Sequence, residues 1–433
     1  MNNVMELTPE IAKMIINEMR KGTPPRFGFE HFSSGFEDIF YHLEKEYLQE
    51  IVLKGGSTFK FVSASFGTGK THFSLQFREM AWKHNYVTCY VELDSKNKQF
   101  NKILNVYQEI CKQIQRPLDD KEKMEIFGDL KKPEEFGIGN MIKFWYHTKQ
   151  NEFQNMYKEE WKIYLKKYIE TVRGFDSIYF GRVIRQMLKS LIDEDEDTFE
   201  DLELWFQNGG NDRYKEFGIK KQIEGDTFRM LNSLTKLLRD FMKFAGLVIF
   251  FDEGEPMTLS TKERSRQLNT LRQVVDKCGD QSISSTMLFY TVPNEADFLE
   301  SAGGGLDALK QRLSKYFSQE HPMSPNINLE KLTPSDDHVK ENWRIIGKKM
   351  GHLYEIAEKV PFTDKWEKSI DSIVEKTFLE RFSEFSGKRL FIQTVCQGLD
   401  IVSKDPNRTI TDDDAENLAK NKTSDDGLND REY

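Results

Sequence analysis

Apolar positions recur along this chain in two periods, and the switches between them outline its elements. Ile11, Met14, Ile15 and Met19 share one helical stripe, so residues 1–21 are expected to form a helix ended by Gly22-Thr23-Pro24-Pro25. A second helix is expected from about Glu37 to Leu53, closed by Gly55-Gly56. The period then falls to two. Phe59, Phe61 and Ser63 alternate with Lys60 and Val62, which predicts a strand over 58–64. A Gly-rich turn follows, then a helix over about 70–84 and a β-branched, aromatic strand over 86–93. Strand, turn, helix and strand in that order make a βαβ unit, so the fold is expected to be α/β with a parallel sheet.

From about 100 to 243 the helical period dominates. Trp161, Leu165, Ile169 and Val172 form one stripe, and Phe180, Val183, Ile184 and Leu188 another. Strand character returns at 247–251 and 287–292, with Gly303-Gly304-Gly305 before a short helix near 306–316. Beyond about 330 the chain is helical again, on stripes such as Trp343, Ile346, Met350, Leu353, Ala357 and Val360. The expected division is an N-terminal helical segment (1–56), a first part of the sheet core (57–99), a helical insertion (100–243), a second part of the core (244–329), a C-terminal helical domain (330–420) and a disordered polar tail (421–433).

Composition narrows the functional classes. With 38% hydrophobic residues and 33 Phe the chain can build a core, so wholesale disorder is excluded. A net charge of −9 argues against a generally basic, nucleic-acid-coating surface, though not against a local basic groove. The cysteines Cys89, Cys111, Cys278 and Cys396 lie far apart, without zinc spacing, and suit a reducing compartment. The run Asp193 to Asp197 reads as a solvated loop, because adjacent carboxylates repel one another. The longest apolar run, Phe244 to Phe251, is far short of the ~20 residues that span a bilayer. With no signal-peptide pattern at the start, a cytoplasmic protein without membrane contact is expected.

The chemistry begins at Ala64-Ser65-Phe66-Gly67-Thr68-Gly69-Lys70-Thr71, which follows the phosphate-binding pattern G-x-x-x-x-G-K-[ST] with Ala in the first place. A loop that wraps a triphosphate with its own N–H groups needs glycines where side chains would obstruct it. The following helix aims its positive end at the same phosphates. The nucleotide-binding residues are therefore expected to be Ser65, Phe66, Gly67, Thr68, Gly69, Lys70, Thr71 and His72, with ATP and Mg²⁺ as the bound species. Lys70 supplies charge to the β- and γ-phosphates and the Thr71 hydroxyl is placed for Mg²⁺.

The other half of such a site is an apolar strand ending in an acid. Leu247-Val248-Ile249-Phe250-Phe251-Asp252-Glu253 has that form. Asp252 is the second expected metal ligand, and Glu253 the expected general base for an attacking water, with Glu255 close enough to share that role. About 180 residues separate Lys70 from Asp252, which makes the helical stretch between them an insertion. At the end of the next strand Thr291 is the first choice for a γ-phosphate sensor and Asn294 the second, with a strand-terminal Thr that caps the next turn as the alternative. Arg312 stands where oligomeric ATPases present an arginine finger, and Arg389 where a lid residue would reach back to the phosphates; an ordinary surface arginine is the alternative for each.

Taken together these pieces resemble the extended AAA+/STAND side of the P-loop ATPases, and among them the BREX-type ATP-binding proteins of phage-defence islands. The resemblance runs through Gly22-Thr23-Pro24-Pro25, Glu30-His31-Phe32, Phe66 to Phe73, Leu204-Trp205-Phe206, Phe217-Gly218-Ile219, Gly246-Leu247, Asp252 to Glu255, Ala308 to Leu313 and the helical region with Arg389. It implies a P-loop NTPase sheet with a large helical insertion and a C-terminal helical lid, and ATP-dependent work in defence beside a helicase or other effector, with a homo-oligomer as one form. Two alternatives stand beside this reading. One is a DNA-binding loader or clamp, for which Lys340, Arg344, Lys348 and Lys349 would supply a basic face. The other is an interaction module that binds ATP without turnover.

Overall fold

A computed structural model describes residues 6–93, 100, 102–128, 132–152, 158–210, 212–252, 261–293, 298, 307–318, 320–333, 335–380 and 387–429. At its centre is a six-stranded sheet of β1 (Ser57–Ser63), β2 (Val87–Glu92), β3 (Ile114–Gln115), β4 (Leu247–Asp252), β5 (Thr286–Val292) and β6 (Asn326–Asn328), in the order β3-β2-β4-β5-β1-β6. Every pairing is parallel except that of β2 with the edge strand β3. All residues of β4 and β5 are buried, as strands covered on both faces must be, which is why they read as unbroken apolar runs. The βαβ unit and the long strands lie where the period predicts them. β3 and β6 were not expected: two residues, and the three residues Asn-Ile-Asn, are too short to carry a pattern.

The two faces of the sheet carry different layers. Phe59, Phe61, Ile249, Phe251, Leu288 and Tyr290 point into a core shared with helices that lie between β2 and β4 in sequence, through Ile142, Trp145, Ile184 and Phe206. Val62, Val248, Phe250, Met287 and Phe289 point the other way, onto Phe73 and Phe77 of the helix Lys70–Lys83 and onto Phe40, Leu43 and Leu48. Those last three belong to a segment expected as one helix. It is an α-helix only over Glu37–His42 and continues as π turns over Leu43–Ile51. Lys60 faces this layer too and is fully buried, donating to the Tyr47 hydroxyl (2.6 Å) and the Ser324 carbonyl (2.9 Å).

A third core holds the C-terminal helices Asp336–Glu358, Asp364–Leu379, Gly387–Lys404 and Asp412–Asn429. The last of these runs past residue 421, into the stretch expected as a tail. The first helix of the chain, Pro9–Arg20, joins this bundle through Ile11, Ile15 and Met19. It is capped by the Thr8 hydroxyl, and Arg20 is paired with Asp400 at 2.7 Å. The chain's beginning is thus shared between bundle and sheet. Within the bundle the helices approach closely at Gly347 and Gly398: a Cβ on Gly347 would lie 2.4 Å from Ile370, and one on Gly398 2.5 Å from Ile373. The run Asp193 to Asp197 joins two helices rather than forming a loop, with Glu194 left-handed and Asp195 capping the next helix, and it is exposed as expected. Among the described residues no helix is long and apolar enough to cross a membrane.

Candidate functional site

The site forms where β1 ends. Ala64 is buried and its N–H donates to the Val292 carbonyl at 3.3 Å, which ties the loop to the end of β5. Gly67 (φ 64°) and Gly69 (φ 110°) are left-handed, a conformation that any side chain would strain. The helix Lys70–Lys83 begins directly at Gly69 without a side-chain cap, so the positive end of its dipole faces the loop. The Lys70 ammonium folds over the loop onto the carbonyls of Ala64 (2.7 Å) and Ser65 (3.1 Å). Phe66 is exposed, with its ring centroid 5.1 Å from that ammonium. The Ser65 N–H donates to the Glu330 carboxylate at 2.9 Å, just beyond β6.

Opposite the helix stands Asp252, the last residue of β4 and 2% exposed. Thr71 donates to its Oδ2 at 3.1 Å, across 181 positions of sequence. Thr291, in β5, donates to Oδ1, and Tyr90, in β2, donates to Oδ2. Burial, and then the neighbouring Asp252 carboxylate, push the Tyr90 phenol far above its ordinary range, so it remains a donor. Sequence reasoning missed Tyr90. Its role arises from strand register alone: β2 pairs with β4 so that Glu92 is level with Asp252, and Tyr90 stands two residues behind.

Between loop, acid and bundle lies a cleft of about 730 Å³. Gly67, Gly69, Lys70, Thr71 and Asp252 line one end. Met19, Pro24, Pro25, Phe32, Ile346 and Ile392 supply apolar wall, and Lys388 and Arg389 reach in from the helix Gly387–Lys404. His72 also lines the cleft. Its ring is packed against Phe29 and Phe32, with Nε2 2.9 Å from the Ser33 hydroxyl. Burial, and then the Lys388 charge, push the imidazole down to about 3, so it is neutral at ordinary pH. The wall residues before Phe32 were not expected in the site, because in sequence they read as an apolar stripe and a helix stop.

The remaining candidates are scattered. Glu253, Glu255 and Asn294 lie outside the described residues. Arg312 is exposed, does not line the cleft, and is ion-paired with Asp276. Arg389 lines the cleft beside Gly22, where a Cβ would stand 2.8 Å from its Nε. The basic face at 340–349 is largely neutralised within the bundle. Lys340 and Arg344 pair with Glu375, Arg344 also with Asp371 (3.2 Å), Lys348 with Glu367 (3.3 Å), and Lys349 donates to the Ser33 carbonyl at 2.6 Å.

Chemically, one end of the cleft offers an uncapped helix terminus, an ammonium and a glycine loop, which together suit a polyphosphate. The Thr71 hydroxyl and Asp252 carboxylate are the oxygen donors a hard cation takes. Among the described residues there is no cluster of three or more His, Cys, Asp or Glu that could hold a metal, and Glu253 and Glu255 lie outside them.

A family model described as BREX system ATP-binding protein BrxC/D matches residues 7–416. No curated protein and no solved structure matches the chain.

Proposed function

Because the chain belongs to the family of BREX system ATP-binding proteins BrxC/D, we propose that it is an ATP phosphohydrolase of AAA+/STAND type, a nucleotide-driven switch or motor subunit in bacterial anti-phage defence. The observation that carries this reading is the 3.1 Å hydrogen bond from Thr71 to Asp252, which joins the glycine loop to the acidic strand at one end of a nucleotide-sized cleft. β5 lies between β1 and β4, so Thr291 falls between the loop and the acid.

In this reading the triphosphate lies along the loop from Ser65 to Thr71, and the base rests among Met19, Pro24, Pro25, Phe32, Ile346 and Ile392. Lys70 exchanges the carbonyls of Ala64 and Ser65 for β- and γ-phosphate oxygens. Thr71 and Asp252 hold Mg²⁺, which would neutralise charge on those oxygens. Glu253 takes a proton from water as the water oxygen bonds to the γ-phosphorus, and the bond to the bridging oxygen breaks to release ADP. Thr291 fixes the Asp252 carboxylate. Arg389 belongs to the lid. Arg312 is offered to a neighbouring copy of the chain, which requires it to leave Asp276. A cytoplasmic location and a helicase or other defence protein as partner complete the reading. The alternative of direct DNA binding through residues 340–349 is disfavoured by their internal ion pairs.

Calorimetry and phosphate release test the proposal together. Lys70→Ala is expected to lose at least about 30-fold in ATP affinity, since removing a hydrogen-bonded charge pair in a buried site costs roughly 2–5 kcal/mol. Glu253→Gln is expected to bind ATP and release no phosphate. Undiminished binding by Lys70→Ala overturns the site; wild-type protein that binds ATP without releasing phosphate leaves the non-hydrolysing module as the function.

A further inference from the structure

The helix Ile178–Asp193 buries one face, through Phe180, Val183, Ile184 and Leu188, in the core it shares with the sheet. Its other face is basic. Arg182, Arg185 and Lys189 recur at three and four positions, and no acid stands between Ile178 and Ile192, in a chain of net charge −9. Contacts extend this stripe over two neighbouring segments. Arg182 and Lys220 both lie over the Tyr179 ring, 5.8 and 5.9 Å from its centroid. Arg182 also donates to the Gly218 carbonyl, which holds it beside Lys220. Arg185 donates to the Val172 carbonyl at 2.9 Å, next to Arg173. Glu170 takes Lys189 at 2.8 Å and Arg173 at 3.4 Å, and among the described residues it is the only carboxylate within ion-pair distance of this group. An ordinary solvated helix face mixes signs so that neighbours offset one another. This one does not, and exposed apolar side chains stand beside it in sequence: Ile178 is 69% exposed, and Ile223, just past Lys220, 59%.

We propose that this surface docks a partner protein, through a segment that carries carboxylates beside branched apolar side chains. Charge complementarity names the acids, since guanidinium groups pair with carboxylates in a planar, two-bonded fit. Burial lowers the Arg185 guanidinium from its ordinary range, and the charges of Arg173 and Arg182 add to that against Glu170, so the arginines stand close enough to repel one another until an anion lies over them. The apolar neighbours decide for a protein over a nucleic acid. Ile178 and Ile223 gain nothing from a phosphate backbone, whereas covering them with apolar side chains contributes about 25 cal/mol per Å². Two cations already lie against the Tyr179 ring, which leaves it poorly placed to stack on a base. Tyr and Arg are also the residue types that anchor protein interfaces. None of these residues lines the cleft at the glycine loop, so the partner and a nucleotide do not compete for one place.

The test follows binding to the full chain by fluorescence anisotropy. The probes are a synthetic helix with glutamate and leucine on adjacent stripes, the same helix with serine in place of leucine, and single- and double-stranded DNA of mixed sequence. The glutamate–leucine helix is expected to bind, more weakly as ionic strength rises to the physiological range, and at least about tenfold more tightly than its serine counterpart. Arg182→Glu with Lys220→Glu is expected to lose at least about tenfold of that affinity. Ile223→Ser is expected to lose at least about threefold. Thermal midpoints should stay at the wild-type value, because these side chains are exposed. Arg182→Gln with Lys220→Gln replaces the reversed pair if that chain does not fold. Absence of saturable binding by the glutamate–leucine helix overturns the inference, as does equal binding to wild type and the reversed pair. Tighter binding of either DNA than of the peptide, abolished by the same substitutions, overturns it too and assigns the surface to phosphate backbones.

Discussion

Asp252 is a carboxylate with both oxygens engaged by hydroxyls from three other elements. A buried carboxylate needs such donors, since leaving one oxygen without a partner costs about 1–3 kcal/mol. Thr291 holds Oδ1, the oxygen that Thr71 and Tyr90 do not reach. Thr291→Val has nearly the same shape and removes that donor, so the carboxylate is expected to turn away from its productive orientation. Phosphate release should fall about 10- to 100-fold, in line with roughly 1–3 kcal/mol, with ATP affinity almost unchanged. A steady-state assay beside calorimetry checks this; turnover within twofold of wild type would remove Thr291 from the site. Much of this site was legible residue by residue. Gly67, Gly69, Lys70 and Thr71 announce themselves because the demand on them is local, a left-handed turn ahead of a helix. Tyr90 does not, because what makes it matter is a neighbour distant in sequence, Asp252 across a strand pair. The pairing of Arg312 with Asp276 is likewise disclosed only by the fold, since the two lie 36 positions apart.

At the scale of elements, the bundle depends on helices that nearly touch. Gly347 meets Ile370 where a methyl group would lie only 2.4 Å from Cγ2, well inside van der Waals contact. Alanine is the better helix former by roughly 1 kcal/mol, so in an open helix Gly347→Ala would stabilise. Here overpacking, typically about 1–3 kcal/mol, opposes that gain. The β-branched Ile370 has little freedom to give way. A net destabilisation of roughly 1 kcal/mol is expected, seen as a lower thermal midpoint. A midpoint equal to or above wild type would show that the helices part easily. The long helices and buried strands were readable because many positions repeat one period, whereas β6 and the π turns over Leu43–Ile51 depend on contacts with the sheet rather than on any repeat of their own.

For the whole molecule, Lys60 is the group whose protonation should be felt in global stability. It is buried at the centre of β1, and burial lowers its amine to about 7 from an ordinary value of 10.5. The folded protein therefore holds this proton less tightly than the unfolded chain. Below about 7 both states are charged and the burial penalty is present in full. As the pH rises from about 7 toward 10.5 the unfolded state binds more protons, so folding becomes more favourable, by up to about 1.4 kcal/mol per pH unit. Lys60→Met lacks this dependence. Denaturant titrations at pH 7 and 9 should show wild type gaining about 2 kcal/mol relative to the variant, and parallel curves would mean that the amine is solvated when charged.

The cleft walls come from residues 19–33, the loop at 64–72 and the helix that starts at Gly387. During synthesis, then, the cleft stays roofless until most of the polypeptide has emerged, although the glycine loop and its helix appear early. A ribosome stalled midway, or a protease that removes the bundle, yields a chain with a complete phosphate loop and no chamber around it. Competence arrives late and all at once, and an interrupted product should be inert rather than partly active.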